Sequence, residues 1–186
     1  NQLLQKKSKW IQKKLLLTIH NEAPFEIHNR EIFKIFNNEI VISLRTGVNN
    51  IFIEGDRCFI SFKNLSNQLK LKKIFLIWIK KYALKYFSER VEYFCNENNL
   101  KVQATLISNA KTRWGTCNSR KEIRLNWRLI QAPQYVIDYV ICHELSHLKF
   151  MNHSSNFWQQ VQLLFPNYKE AELYLKENGF KLYRLD

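Results

Sequence analysis

The sequence predicts an α+β fold, because strand-like and helix-like stretches occupy different parts of the chain. Runs rich in β-branched and aromatic residues fill residues 25–62, and a long helical pattern follows over Leu69 to Asn98. A pair of strand-like segments and further helical patterns complete the chain. With 186 residues, 46% of them hydrophobic, the chain fits one compact domain with a smaller lobe.

Residues 1–64 are predicted to form a small N-terminal lobe of one helix and antiparallel strands. Lys9 to Leu17 places its apolar residues on one side of a short basic helix. Tight turns at Asn37-Asn38, Gly47 and Gly55-Asp56 are expected to join consecutive strands. These strands cover Phe25 to His28, Ile32 to Phe36, Glu39 to Arg45, Asn50 to Glu54 and Cys58 to Phe62.

Residues 65–186 are predicted to form a second domain that is mainly helical. Its long first helix, Leu69 to Asn98, alternates a buried aromatic and aliphatic face with a wet face of lysines. Two strands, Gln103 to Ser108 and Glu122 to Trp127, are expected to pair as a hairpin across the polar segment between them. The last two helices end at Leu164 and at Asn178, the second with Gly179 as a left-handed cap.

The stretch from Val136 to Trp158 contains the pattern His143-Glu144-Leu145-Ser146-His147, an H-E-x-x-H. Apolar residues at three- and four-residue steps predict that it lies on a helix with one buried stripe. Residues four apart share a helix face, so both histidines can direct their rings at one point, where a Zn²⁺ ion accepts imidazole nitrogen. The glutamate is placed to take a proton from a water that the metal activates.

A third metal ligand is needed, and the sequence offers two kinds of candidate. His153 follows His147 at the spacing of the H-E-x-x-H-x-x-G-x-x-H zincins, although Phe150 stands where those proteins carry glycine. The alternative is a carboxylate on a later helix, Glu170 or Glu172. We favour His153, because it lies about one turn beyond the pair.

Three segments resemble the YgjP-like metallopeptidase family, whose members are small, cytosolic, zincin-type proteins distantly similar to SprT-like and WLM proteases. They are Lys111 to Cys117, Ile123 to Leu129 and the H-E-L-S-H-L…N-H-S…F-W run. The resemblance is close from Lys111 to Trp158 and extends more weakly from Trp10 to the end. Relatives usually begin with a basic β-hairpin, whereas this chain starts almost at the first helix and lacks an initiator methionine, so we expect a trimmed lobe.

The resemblance implies a zincin-like metallopeptidase core, with residues 65–186 as the catalytic domain and a peptide or protein as substrate. It implies that the strand before the zinc helix pairs with the substrate backbone. Arg113 and Trp114, in the loop before that strand, are candidate substrate-binding residues. The general base would be Glu144, and one Zn²⁺ per chain would be held by His143, His147 and His153.

The formal net charge of +13 and the isoelectric point near 9.7 favour anionic partners. They leave two other functions open: a metal-dependent nucleotide phosphoanhydride hydrolase (a pyrophosphatase), and a basic nucleic-acid-binding module without catalysis. Chelation would abolish the activity of either enzyme, whereas nucleic-acid binding would survive chelation and weaken steeply with salt. The same charge also results from a codon bias towards lysine.

The four cysteines are far apart and form no C-x-x-C pair, which excludes a disulfide framework. We interpret Cys117 and Cys142 as small buried residues. No apolar run is long enough to cross a bilayer and no signal peptide is visible, so the sequence predicts a cytoplasmic protein without a membrane partner.

Overall fold

The computed structural model describes residues 25–186, and the helix predicted over Lys9 to Leu17 lies outside them. The described part contains seven strands, four α-helices and two short 3-10 helices. They are β1 (Ile32–Ile35), β2 (Asn38–Thr46), β3 (Asn50–Glu54), β4 (Arg57–Phe62), α1 (Gln68–Glu97), β5 (Ala104–Ser108), β6 (Gly115–Cys117), β7 (Glu122–Asn126), the 3-10 helix Trp127–Gln131, α2 (Gln134–Ser146), α3 (Ser155–Leu164), α4 (Tyr168–Asn178) and the 3-10 helix Gly179–Tyr183.

The predicted α+β class is confirmed, but one pairing in the first sheet differs from the antiparallel order expected. The strand order is β1-β2-β4-β3, in which β1–β2 and β3–β4 are antiparallel and β2–β4 is parallel. Strand β4 folds back from β3 through a tight turn at Gly55, which has a φ of 60°, and enters between β2 and β3. The apolar pattern specifies which face of each strand is buried, not which strand becomes its neighbour.

The segment from Phe25 to His28 was expected to be a strand, and it has no regular structure. Its apolar residues are nevertheless core residues, since Phe25 and Ile27 are almost fully buried. The ring of Phe25 lies 5.6 Å from that of Phe75 in α1. Burial alone therefore produced the strand-like pattern.

Helix α1 agrees with the predicted helix to within one residue at each end. Asn67 caps its first turn by accepting a hydrogen bond from the backbone N–H of Lys70 at 3.0 Å. Its buried stripe runs the length of the helix and comprises Leu71, Phe75, Ile79, Ala83, Phe87, Val91, Phe94 and Cys95.

The second sheet corrects the predicted hairpin between the two strands that flank residues 109–121. Strands β5 and β7 are parallel. Strand β6 forms within residues 109–121, the segment that was predicted to be only a connection, and it pairs antiparallel with β7. The order β5-β7-β6 therefore places β7 in the centre and β6 on the outside. Strand β6 has three residues, all half-buried, and such a short segment carries no alternation that a pattern could reveal.

Helix α2, which carries the H-E-x-x-H pattern, is enclosed by α1, α3, α4, β6 and β7. Arg90 of α1 donates two hydrogen bonds, of 2.8 and 2.9 Å, to the Asp138 carboxylate of α2 and fixes the two helices together. The helix ends at Ser146, and His147 is its C-cap.

No helix of residues 25–186 combines the length and the apolarity that a bilayer crossing requires. The division of the chain at residues 64 and 65 stays a prediction.

Candidate metal centre

Three histidines converge at the C-terminal end of α2. His143 lies in the last turn of the helix, His147 caps it, and the turn that follows brings His153 back towards both. The Nε2 atoms of His143 and His153 are 3.1 Å apart, and one nitrogen from each of the three rings lies within 4.8 Å of the others. Within the described residues, this is the only such group of histidine, cysteine and acidic side chains.

The ring of His147 is oriented by a hydrogen bond to the backbone. Its Nδ1 atom lies 3.0 Å from the carbonyl oxygen of Phe150. A carbonyl only accepts, so Nδ1 carries the proton and Nε2 of the neutral ring keeps its lone pair for a metal. Such a partner on the second nitrogen is the usual support of a metal-ligating histidine.

The electrostatics of the cluster favour neutral imidazoles. Burial, followed by the neighbouring His147 and His153, lowers the pKa of His143 to about 4. Burial also lowers the pKa of His147. Because metals bind the unprotonated ring, these two histidines are in the ligating form at neutral pH.

The donor set fits a divalent transition metal. Two nitrogens on one tetrahedral Zn²⁺, each at a bond length of about 2.0–2.1 Å, lie roughly 3.3 Å apart. The separation between His143 and His153, 3.1 Å, is close to that value. Imidazole ligands suit zinc and also copper, iron and nickel. The alternative carboxylates, Glu170 and Glu172, are not part of the cluster.

Glu144 is almost fully buried beside the cluster, and burial raises its pKa to about 8. The backbone of β6 lies directly against its side chain. A Cβ atom added to Gly115 would lie 2.7 Å from both Cγ and Cδ of Glu144, a distance that real Cβ atoms do not show. Gly115 is therefore needed for β6 to pass this close to the carboxylate.

The sequence did not indicate a role for Gly115, although this residue lies in one of the segments that resemble the family, in the motif R-W-G-T-C. A glycine in a polar segment is ordinarily read as a turn residue. Only the position of β6 against α2 shows that this glycine makes room for a side chain 29 positions further on.

A cavity of about 500 Å³ opens over the cluster and the glutamate. One wall comes from the segment that includes β6 and the other from α2, and three residues from later segments complete it. Its lining residues are Arg113, Trp114, Gly115, Thr116, Cys117, Tyr139, Val140, His143, Glu144, His147, Met151, His153 and Leu175.

Both predicted substrate-binding residues reach this cavity, in different ways. Arg113 is exposed. The ring of Trp114 is half-buried and packs against the C-terminal segment, 5.7 Å from the ring of Tyr183. It also covers Gly179, where an added Cβ would lie 3.0 Å from Cζ2 of the indole. Gly179 has a φ of −56°, so it is not the left-handed cap that was predicted, and close packing accounts for the glycine instead.

Cys117 was expected to be buried, but it is half-buried and lines the cavity. Burial, followed by the nearby Glu144 carboxylate, raises the pKa of its thiol to about 11. Without a bound metal the thiol is therefore protonated at neutral pH, and Cys117 is not part of the group of possible metal ligands among the described residues.

A buried asparagine holds the strand wall. The side-chain N–H groups of Asn126 donate to the carbonyl oxygens of Ala110, at 2.8 Å, and Arg113, at 3.2 Å. Its backbone N–H donates to the carbonyl of Trp114 at 2.8 Å. Asn126 thus fixes the path of the chain just before β6 at three points.

Arg128 extends the hydrogen-bond network of Asn126. It is 2% exposed and makes a two-point contact with the Asp186 carboxylate, at 2.7 and 2.9 Å. Its guanidinium lies 4.8 Å from the ring centroids of both Trp127 and Tyr183. It also donates to the side-chain oxygen of Asn126 at 3.2 Å, and so connects Asp186 to the strand wall.

A family model described as YgjP-like, metallopeptidase domain, matches residues 1–178. Among solved structures, the chain is similar to the metallopeptidase zymogen abylysin of Pyrococcus abyssi, with 22% identity and a TM-score of 0.44 over 49% of this chain and 93% of that one. It is also similar to the metallopeptidase zymogen jannalysin of Methanocaldococcus jannaschii, with 21% identity and a TM-score of 0.42 over 50% and 95% of the two chains. No curated protein matches the chain significantly.

Proposed function

Because the chain belongs to the YgjP-like metallopeptidase family, we propose that it is a zinc-dependent peptidase with Glu144 as its general base. The observation that carries this proposal is the convergence of three imidazoles beside a buried carboxylate in an open cavity. The residues that would hold one Zn²⁺ are His143, His147 and His153.

A zinc ion bound there would supply a Lewis acid and lower the pKa of a bound water to about 7. The carboxylate of Glu144 takes the proton of the attacking water and delivers it to the nitrogen of the leaving amine. Burial raises the pKa of Glu144, so its ionised form is a stronger base than an exposed glutamate, and the positive charge of a bound Zn²⁺ would favour that ionised form. Gly115 keeps the carboxylate beside the cluster, since the β6 backbone blocks movement in its direction.

Substrate binding is assigned to β6, and this replaces the strand that the sequence suggested. Strand β7 has neighbours on both sides, whereas β6 is the outer strand of its sheet and all three of its residues line the cavity. An extended peptide can add to that edge through backbone hydrogen bonds. Arg113 lies beside this edge, where its guanidinium can contact a substrate carbonyl or carboxylate. Trp114 forms the wall behind it.

The test is a comparison of zinc content and peptidase activity in matched variants. Glu144→Gln keeps the shape of the side chain but cannot accept the proton, so we expect one zinc per chain and a loss of activity of about 10²–10⁴-fold. His143→Ala should lose the metal as well, and Glu92→Gln, on the exposed face of α1, should change neither. Retained activity in Glu144→Gln would rule out the assigned base.

The same preparation also tests the alternative enzyme, a nucleotide phosphoanhydride hydrolase. Phosphate chemistry needs several cationic groups around the cleft, but Arg113 is the only arginine or lysine among the residues that line the described cavity. We therefore expect cleavage of peptides and no release of pyrophosphate from nucleotides, and the reverse result would assign a phosphoanhydride hydrolase. Nucleic-acid binding and a cytoplasmic location stay predictions.

A further inference from the structure

One buried aromatic ring contacts all three histidines of the cluster. Phe157, in the first turn of α3, is fully buried. Its ring centroid lies 4.9 Å from that of His143, 4.6 Å from that of His147 and 4.7 Å from that of His153. Among the aromatic contacts of residues 25–186, no other ring reaches all three imidazoles.

This contact matters because one of the histidines lacks the usual polar support. A metal-ligating histidine ordinarily donates its second ring N–H to a carbonyl, a carboxylate or a water. His147 does so, but the buried Nδ1 of His143 has no hydrogen-bond partner within residues 25–186. The torsion of the His143 ring is therefore set by packing against the rings around it.

The packing around His143 is directional. Phe157 meets its ring at an interplanar angle of 73°, Trp158 at 69° and Tyr139 at 76°. Edge-to-face contacts of this kind are the arrangement that aromatic quadrupoles favour. Three such contacts from different directions leave the imidazole little freedom to rotate.

The position of Phe157 is itself fixed by the start of α3. Its backbone N–H donates to the Ser154 side chain, the N-cap of the helix, at 3.4 Å. His153 is the residue immediately before that cap. Phe157 thus joins the histidine of the loop to the two histidines of α2, and a change in its ring would affect all three.

We propose that Phe157 is a positioning residue whose ring holds the three imidazoles in the orientation that binds a divalent transition metal. This inference rests on the proposed function in that the histidines are the metal ligands. It goes beyond that function because it assigns the preorganisation of the site to an apolar side chain that touches neither metal nor substrate.

The test compares Phe157→Leu with Phe87→Leu, a matched substitution of a fully buried phenylalanine in α1, away from the cluster. Zn²⁺ affinity is measured by competition with a chromogenic chelator, and ligand geometry from the visible bands of the Co²⁺-substituted protein. Urea unfolding of the metal-free proteins gives the stability of each variant. These readouts do not depend on turnover.

We expect Phe157→Leu to bind Zn²⁺ about 10–100-fold more weakly, the loss typical of removing a residue that supports a metal ligand. Its Co²⁺ bands should also shift or weaken. Phe87→Leu should lose comparable stability while its Zn²⁺ affinity stays within about threefold of wild type. Wild-type affinity and spectrum in Phe157→Leu, or an equal loss of affinity in Phe87→Leu, would overturn the proposal.

If Phe157→Leu does not fold, Phe157→Met replaces it, because methionine fills a similar volume without a ring. The same loss of Zn²⁺ affinity is expected, and wild-type affinity again overturns the proposal. A wild-type protein that binds Zn²⁺ but cleaves no peptide would refute the peptidase, while the affinities would still decide the role of Phe157. A wild-type protein that binds no Zn²⁺ would refute both.

Discussion

The two walls of the cavity are held by different kinds of interaction. On the metal side, the histidines are carried by α2 and by the turn that leads into α3, and the rings of Phe157 and Trp158 pack against them. One backbone hydrogen bond, from His147, adds polar support. On the strand side, most of residues 109–117 lie outside regular structure, and buried polar groups from Asn126 and Arg128 hold them.

The difference arises because side chains must be oriented on the metal side, whereas backbone groups must be held on the strand side. A helix already satisfies its own backbone, so the metal side needs only to orient side chains, which close packing does. A loop against a sheet has buried carbonyl and N–H groups without ladder partners, and each unsatisfied group costs free energy. Asparagine supplies both a donor and an acceptor for such groups. The metal side should therefore respond to changes in ring shape, and the strand side to the loss of single polar atoms.

The largest effect is expected where the two walls touch. Gly115→Ala would place a methyl group against the Glu144 side chain and force the carboxylate or β6 to move. A displacement of about 1 Å in a reacting group can cost 10²-fold, so we expect kcat/KM for peptide cleavage to fall by about 100-fold.

Gly47→Ala is the control for this substitution, because its new Cβ would come no closer than 3.9 Å to Ser61. It should leave kcat/KM unchanged. Equal kcat/KM for Gly115→Ala and wild type would show that the contact between the walls does not constrain Glu144.

The second-largest effect is expected on stability, from a substitution in the strand wall. Asn126→Ala removes a fully buried amide that donates to the carbonyl groups of Ala110 and Arg113, and we expect the free energy of unfolding to fall by about 2 kcal/mol. Urea denaturation measures the change. Asn64→Ala, in the exposed segment before α1, removes two hydrogen bonds near solvent and should cost less than about 1 kcal/mol. Equal losses would contradict the distinction between buried and exposed amides.

A smaller effect is expected where the C-terminus joins the network. Asp186→Ala removes the partner of the buried Arg128 guanidinium, yet Asp186 is 34% exposed and solvent screens part of the interaction. We expect a loss of about 1.5 kcal/mol in urea denaturation, the lower end for charged hydrogen bonds. Glu89→Ala breaks the exposed pair with Lys85 and should change stability by at most about 0.5 kcal/mol.

The smallest effect is expected behind the strand wall. Gly179→Ala places a Cβ 3.0 Å from the Trp114 indole, where a shift of a few tenths of an ångström relieves the contact. The backbone conformation suits alanine, so only overpacking remains, and we expect a loss of about 1 kcal/mol. A melting temperature equal to or above that of wild type would show that Trp114 moves aside freely.

The same contrast explains how much the sequence could predict. The metal side rests on periodic helices, and its histidine spacing and the bounds of α1 followed from local pattern. The strand side rests on β6, three residues long, and on the parallel pairing of β5 and β7, which are separated by 13 residues of chain. Pairing between distant segments depends on tertiary packing, which a local pattern does not contain.

On the metal side too, one contact could not be predicted from the sequence, and it is made by Phe157. A phenylalanine on the apolar side of a helix is typically buried, and Phe157 is fully buried. The sequence could not indicate that the surface it covers consists of three imidazoles, since that depends on how α3 crosses α2. The motif predicted Glu144 as a base, and that assignment stays a proposal, whereas no pattern predicted that Glu144 lies close to Gly115.

The shortness of β6 has a consequence for selectivity. Alternate residues of an edge strand turn their backbone groups outward, so a strand of three residues offers only one or two of them to an incoming chain. Under the proposed function, main-chain recognition at this edge would therefore be weak and indifferent to side-chain identity. We expect a broad cleavage repertoire with a high KM for short peptides, in which discrimination depends on the few side chains that enter the cavity.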